Sequence, residues 1–410
     1  MIQTNQLPTS DKPALRFGEF VALTASMIAL VALSTDAMLP ALSTIGLELG
    51  ARQANDNQLI ISLLFFGMAL GQLIYGPLSD STGRKPAIYL GFLIFMLGCL
   101  LAIFAPSFQV MLIGRFLQGM GVAGPRSVAT ALVRDQYEGR GMARVMSFVM
   151  AVFILVPIIA PSIGQAIVLL VNWRGIFVLY LLLAIIVSIW FAIRQPETLP
   201  PERRIPFTVM RLRHAFAEVL TNRITFGYTI TAGFVYGAFL GYLNSAQQIF
   251  QQTYGLGERF PLYFATLAFG SGAASYLNGR FVLQYGMRNL SHRALLVNTT
   301  LSSLIFLFAL TQGGLPPLWL VTIYFIIIFF TIGMLFGNLN ALAMEPLGHI
   351  AGVGAAVIGS LSTLLSTILG TIVGQNFNGT ILPLVGGFAI LGLLSLAVTS
   401  WAEAGHQRIA

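Results

Sequence analysis

The chain has 410 residues, of which 56% are hydrophobic and 9% charged. A soluble domain carries about 25% charged residues, so a soluble enzyme or binding module is excluded and a polytopic membrane protein is implied. The formal net charge of +8 reads as basic loops against an anionic leaflet, not as a nucleic-acid surface. Cys99 is the sole cysteine, so no internal disulfide is expected. No small-residue cleavage site follows the first apolar run, which therefore reads as a retained span.

Apolar runs fall near 17–42, 57–78, 87–105, 108–132, 145–169, 175–193, 222–244, 260–283, 293–311, 315–342, 353–375 and 380–402. Each approaches the ~20 residues that a helix needs to cross roughly 30 Å of hydrocarbon. They predict an all-α integral membrane protein with twelve spanning helices in two six-helix halves. Arg52, Arg174 and Arg259 fall in loops on one side, and Arg115 and Arg126 within spans. Every other Lys and Arg, from Lys12 to Arg408, lies on the opposite side, which places both termini in the cytoplasm.

The longest polar stretch, Arg194 to Asn222, opens with Pro196, Pro200, Pro201 and Pro206, which forbid a continuous helix. Val209 to Leu220 then reads as a basic amphipathic helix on the inner leaflet. The expected organisation is an N-terminal bundle over 1–193, a cytoplasmic linker over 194–221 and a C-terminal bundle over 222–410.

In chain order, the first informative residue is Asp36, a carboxylate within the first apolar run, where insertion costs roughly 2.5–3.5 kcal/mol. A charge retained at that cost is read as used. Next come Gly76, Asp80, Gly83, Arg84 and Lys85, which make a glycine-hinged, charged turn between the second and third spans. Asp80 there can meet a helix N-terminus of the other half. Gly286 and Arg288, between spans eight and nine, are a fainter echo of that turn.

Arg115 lies in the fourth span at the depth of Asp36. Beside a permanent cation Asp36 stays ionised, whereas burial alone favours the neutral acid, and the balance between them is a proton switch. Arg126 follows on a similar face of the same span. It either lines a cavity or turns toward the inner carbonyls and interface. Pro157, Pro161 and Gly164 bend the fifth span.

No charge is placed within a span of the C-terminal half. Tyr236, Asn244, Gln247, Tyr276, Phe329, Asn338 and Asn340 offer polar and aromatic groups instead. Of these, Tyr236, Asn244 and Asn338, with Met38, Gln118, Phe234, Asp36 and Arg115, are the candidate substrate cavity. Gly333, Gly337, Gly359, Gly370 and Gly374 read as close helix contacts that slide during alternating access.

The run Gly76-Pro77-Leu78-Ser79-Asp80-Ser81-Thr82-Gly83-Arg84-Lys85 resembles the loop signature of the major facilitator superfamily. Ser34-Thr35-Asp36-Ala37-Met38-Leu39-Pro40, Arg115-Phe116-Leu117-Gln118-Gly119, Arg134-Asp135, Trp173-Arg174-Gly175-Ile176-Phe177 and Pro196-Glu197-Thr198-Leu199 resemble the bicyclomycin/chloramphenicol-florfenicol resistance (Bcr/CflA) group. These matches run from about residue 30 to 200. Ala160-Pro161 with Gly164 resembles an antiporter signature, from which Ala160 and Gln165 depart.

The resemblance implies a drug:H+ antiporter of the bacterial inner membrane, with Asp36 and Arg115 coupling proton and substrate. It also implies gating contacts at Gly76, Asp80, Gly83, Arg84, Lys85, Arg134, Pro157, Pro161 and Gly164. Small amphipathic compounds, protons and membrane lipid are the expected partners of a monomer, with no nucleic acid, no metal and no cofactor beyond the proton gradient. The chain lacks a phosphate-binding G-x-x-x-x-G-K-[ST] run, a metal-ligand cluster and a nucleophile–base set, which argues against an ATP-driven pump or an enzyme. The alternative within transport is a proton-coupled carrier of a sugar or amino acid.

Overall fold

A computed structural model describes residues 15–404. Lys12, His406, Arg408 and both chain ends lie outside the described residues. The helices are α1 (Phe17–Asp36), α2 (Leu42–Leu49), α3 (Leu59–Thr82), α4 (Arg84–Ile103), α5 (Phe108–Gln136), α6 (Gly139–Leu170) and α7 (Arg174–Arg194) in the first half. A linker helix, α8 (Val209–Thr221), leads to α9 (Arg223–Ala246), α10 (Phe260–Tyr285), α11 (Met287–Thr311), α12 (Leu318–Met344), α13 (Ala351–Gln375) and α14 (Leu382–Glu403). No strand occurs among the described residues.

Nine stretches among the described residues are long and apolar enough to cross a membrane, and one of them, Leu318–Gln375, contains both α12 and α13. α5 and α10 fall outside that set, the former because Arg115, Arg126 and Arg134 dilute it. At 29 and 26 residues they still match their neighbours in length and pack among them. With α1 and α2 counted as one broken span, the all-α architecture of twelve spans in two halves is the one expected.

The first span is broken where the sequence carries both a charge and a proline. Pro40 has no N–H and disfavours helix at the residue before it. α1 therefore ends at Asp36, and a 3-10 turn at Leu39–Ala41 leads into α2. The matching span of the second half is also irregular: α9 passes at Gln247–Thr253 into a π-helix. The two irregular segments touch.

The halves are joined along two seams, α3 on α13 and α6 on α10. No comparable seam joins α5 to α12. α8 lies on α13 and α9, with Ala215 and Val219 buried beneath it, while Val209, Met210 and Leu220 stay exposed. The linker defines one end of the molecule, called the linker end below, and the α1–α2 break lies toward the far end.

Candidate functional site

At the linker end, Gly83 joins α3 to α4 with φ +107°. A Cβ there would also stand 2.7 Å from the Glu197 carboxylate, so glycine is required twice over. Glu197 accepts the backbone N–H groups of Arg84 and Lys85 at 2.9 Å each, which caps α4 with a carboxylate at its positive end. Arg84 bridges Asp80 at 2.6 Å and Asp135 at 2.8 Å. Lys85 donates to Gln195 O at 2.7 Å, at the end of α7.

Asp80 also faces the other half. Its Oδ2 lies 3.5 Å from where a Cβ on Gly352, in the first turn of α13, would stand. A Cβ on Gly76 would meet Ala356 of α13 at 3.2 Å. The fainter turn of the second half is built the same way. Gly286 has φ +75°, and Arg288 pairs with Glu345 at 2.6 Å and Glu403 at 2.9 Å.

One expected gating residue is displaced. Arg134 is exposed and has no polar partner among the described residues, while its neighbour Asp135 holds Arg84 and accepts from Thr198 Oγ1 at 2.9 Å. Asp135 and Glu197 were both within matched motifs. Their role shows only when α5, the α3–α4 turn and the linker meet.

Toward the far end, Asp36 is 5% exposed. Its carboxylate makes no hydrogen bond and no ion pair among the described residues. Arg115 is fully buried, at 0% exposure. It donates to Ile60 O at 3.0 Å, Gln118 Oε1 at 2.5 Å and Ser34 O at 2.8 Å. Asp36 and Arg115, expected side by side, form no ion pair: oxygens of Ile60, Ser34 and Gln118 take the guanidinium's donors. The link between the two residues runs through the backbone of α1, two positions before Asp36. Tyr180 of α7 holds the adjacent carbonyl, Leu33 O, at 2.9 Å.

The break itself is clamped from α6. A Cβ on Gly164 would collide with the carbonyl oxygen of Ala37, and Ala160 is buried one turn earlier. Gly164 is therefore a contact on the residue after Asp36. Pro157 and Pro161 stand in the same helix, which runs as one element from Gly139 to Leu170.

Several expected cavity residues face elsewhere. Met38 is buried in the break. Gln118 is tied to Arg115 and to Gly98 O at 3.0 Å. Phe234 lines a small pocket with Leu295, Asn298, Phe388, Leu391 and Ser395, within the second half. Asn338 forms a paired-amide contact with Asn278 of α10 at 2.9 and 3.1 Å. Asn244 donates to Ser62 Oγ at 3.2 Å across the halves and to Gly370 O at 3.1 Å within its own half. In this conformation these are packing residues: one residue's slip along a helix turns a side chain by about 100°, and span-end placement does not resolve that. Tyr236 does face the gap, over Phe336 and Asn340 of α12.

The far end is closed by uncharged amides, of which only Gln247 stands out in the sequence. Ser43 donates to Gln247 at 2.9 Å, Gln252 to Ser43 at 2.7 Å, Gln58 to Gln248 at 2.6 Å and Gln248 to Asn55 at 3.0 Å. Asn55 donates to Phe377 O at 2.9 Å, and Gln375 returns to Asn55 O at 2.7 Å. The signal was present as Asn and Gln gathered at matching ends of three spans, with Ser43 on a fourth. No hydrogen bond of this kind crosses between α5 and α12 toward the linker end among the described residues. There Thr130, Gly337 and Ala341 are exposed. The arrangement is a cleft between the halves, shut at the far end and exposed between α5 and α12.

A family model described as Major Facilitator Superfamily matches residues 24–371. The chain is 30% identical over 304 residues to a bicyclomycin resistance protein homologue of Haemophilus influenzae, covering 72% of this chain and 74% of that one. It is 27% identical to the multidrug resistance protein MdtL of Klebsiella pneumoniae, covering 83% and 84%. Both agree with the resemblance to the Bcr/CflA group. Among solved structures, the xylose transporter XylE of E. coli shares the fold, with TM-score 0.71 at 12% identity over 93% of this chain and 96% of that one. The matched span, the broken and π-helical first spans of the two halves, and the doubled glycine–arginine turn lead to one conclusion: the chain belongs to the major facilitator superfamily and is a membrane carrier, not an enzyme.

Proposed function

We propose that this carrier is a proton-coupled efflux antiporter of small amphipathic compounds, working by alternating access in a bacterial inner membrane. The linker end and both termini face the cytoplasm, as the Lys/Arg asymmetry indicates. It acts as a monomer of two six-helix bundles, with boundaries near 193 and 222.

One observation carries the reading. Asp36 is buried at a helix break, within electrostatic reach of Tyr242 of the other half, without a hydrogen bond or counter-ion among the described residues. An unpaired carboxylate is poorly tolerated in such a place, so in this conformation Asp36 holds its proton. Arg115 keeps the end of α1 in place through Ser34 O. Cargo entering from the linker end displaces that proton to the cytoplasm, and when the far-end amides part, the cargo leaves outward and water brings Asp36 a new proton. The neutral acid then favours the return of the carrier, whereas the ionised carboxylate favours a cationic group. The similarity to resistance proteins supports an exported drug as the cargo.

The test is proton flux in everted vesicles against a panel of drugs, sugars and amino acids. The reading requires proton release driven by one or more drugs and lost in D36N, with the variant folded by size-exclusion chromatography. Normal coupling in D36N ends the reading. Flux driven only by a sugar or amino acid keeps the proton site and replaces the cargo.

A further inference from the structure

Arg126 is a charge at membrane depth that the antiport cycle above does not use. It precedes Asp135 on α5 by a helical rise of roughly 13 Å, and Met68 precedes Asp80 on α3 by roughly 18 Å. Arg126 Nη1 donates to Met68 Sδ at 3.2 Å. The side chain thus climbs away from the linker end, the nearer interface. A snorkelling arginine does the reverse.

A guanidinium has five N–H donors in a fork that fits two carboxylate oxygens. Here its one hydrogen-bond partner among the described residues is a thioether sulfur, a weak acceptor. No carboxylate pairs with it. Every other Asp and Glu of the described chain except Asp36 stands at a helix end, in the linker or in a loop. Arg115 shows the contrast, with three oxygens at 2.5–3.0 Å around the same group.

What faces Arg126 is the cleft. Tyr236 of the other half lies within electrostatic reach. Its hydroxyl is already engaged, donating to Phe336 O at 2.7 Å and accepting from Asn340 Nδ2 at 2.9 Å. Nothing stands within 4 Å of where a Cβ on Gly337 would be. Thr130, one turn along α5 toward the linker end, is exposed. Asp36 lies about 25 Å from Glu19 along α1, and so roughly 10 Å beyond the Arg126 guanidinium in depth.

We infer that Arg126 is a substrate subsite that receives a carboxylate of a zwitterionic amphiphile, whose basic end reaches toward Asp36. The inference rests on the transport reading and deepens it by naming the class of cargo. The anionic group supplies the two oxygens that the chain withholds from Arg126. The basic end supplies the charge that displaces the proton of Asp36.

The experiment uses the full chain in lipid nanodiscs, with norfloxacin as the zwitterionic fluorescent probe and its methyl ester as the matched monocation. Affinities come from fluorescence anisotropy for the wild type, R126Q, R126K and D36N. The wild type is expected to bind the acid about tenfold more tightly than the ester, a step typical of one charge-assisted contact. R126Q brings the two within about twofold by weakening the acid alone, and R126K falls between. Ester affinity unchanged in R126Q shows that the variant is folded; if R126Q does not fold, R126K decides. An acid-to-ester ratio untouched by substitution, or a wild type that binds both equally or neither, overturns the subsite.

Proton release is read in the same samples. A ratio governed by Arg126 with release unchanged in D36N leaves the subsite standing and removes the coupling. Release lost in D36N with the ratio untouched in R126Q removes the subsite alone.

Discussion

Arg115 donates to the backbone carbonyl of Ser34 at 2.8 Å and leaves the carboxylate of Asp36, two residues on, without a partner. The cation therefore acts on the helix that carries the acid and not on the acid itself. On the proposed reading a proton leaves or joins Asp36 without breaking an ion pair, while the end of α1 stays anchored from α5 through Arg115 and from α7 through Tyr180.

This geometry distinguishes shape from charge at Arg115. Ile60 O, Ser34 O and Gln118 Oε1 surround a planar fork, which a lysine ammonium cannot reproduce. R115K is expected to keep the fold but lose at least about tenfold in transport, roughly the value of one or two misdirected charged hydrogen bonds. Uptake into everted vesicles measures it. Wild-type rates in R115K would show that charge alone suffices.

Gly164 is the second test of the break. A methyl group there has to displace the carbonyl of Ala37 or spread α1 from α6. G164A should lower stability by about 1–3 kcal/mol, the usual range for overpacking, and slow transport together with it. Thermal unfolding in detergent reads the first effect and vesicle uptake the second. A melting temperature and rate equal to the wild type contradict the close approach.

At the linker end, E197A removes the acceptor of the Arg84 and Lys85 backbone N–H groups. Loss of such a cap costs about 0.5–2 kcal/mol. G83A forces a side chain into φ +107° against the same carboxylate, at about 1–3 kcal/mol. G83A is therefore expected to be the less stable of the two by calorimetry, and R134A, at an exposed position, to sit within about 0.5 kcal/mol of the wild type. The reverse order would refute the clamp.

Opening at the far end must part the amides that join Ser43 to Gln247 and Asn55 to Gln248. In a C99S background, which leaves no native cysteine, S43C with Q247C joined by a short reducible bis-thiosulfonate should stop transport, and reductant should restore it. None of these contacts is ionic, so salt should not loosen them. A linked carrier that still cycles would place the moving gate elsewhere.

Legibility differed by kind of residue. Twelve spans, the glycine-hinged turn, the linker helix and the burial of a charge at Asp36 follow from composition, spacing and the expense of a charge in lipid. Those signals belong to single residues or short runs. In this conformation Phe234 lines a pocket within the second half and Asn338 pairs with Asn278, and a span known to within a few residues leaves such helical facing open by more than a right angle. Arg134 was chosen over Asp135 for the same reason.

Sequence by itself determined that this chain crosses a membrane many times, that it is built as two related halves, and that an acid and two arginines stay in the bilayer at some expense. Burial, charge and the demand for backbone hydrogen bonds act on each segment wherever it ends up. Tertiary structure alone decided which groups satisfy those charges: among the described residues three oxygens gather on Arg115, a sulfur is the one hydrogen-bond partner of Arg126, and Asp36 is left with none. A hydrogen bond is a matter of a few tenths of an ångström between atoms far apart in the chain, and only the packing of helix on helix sets distances that fine.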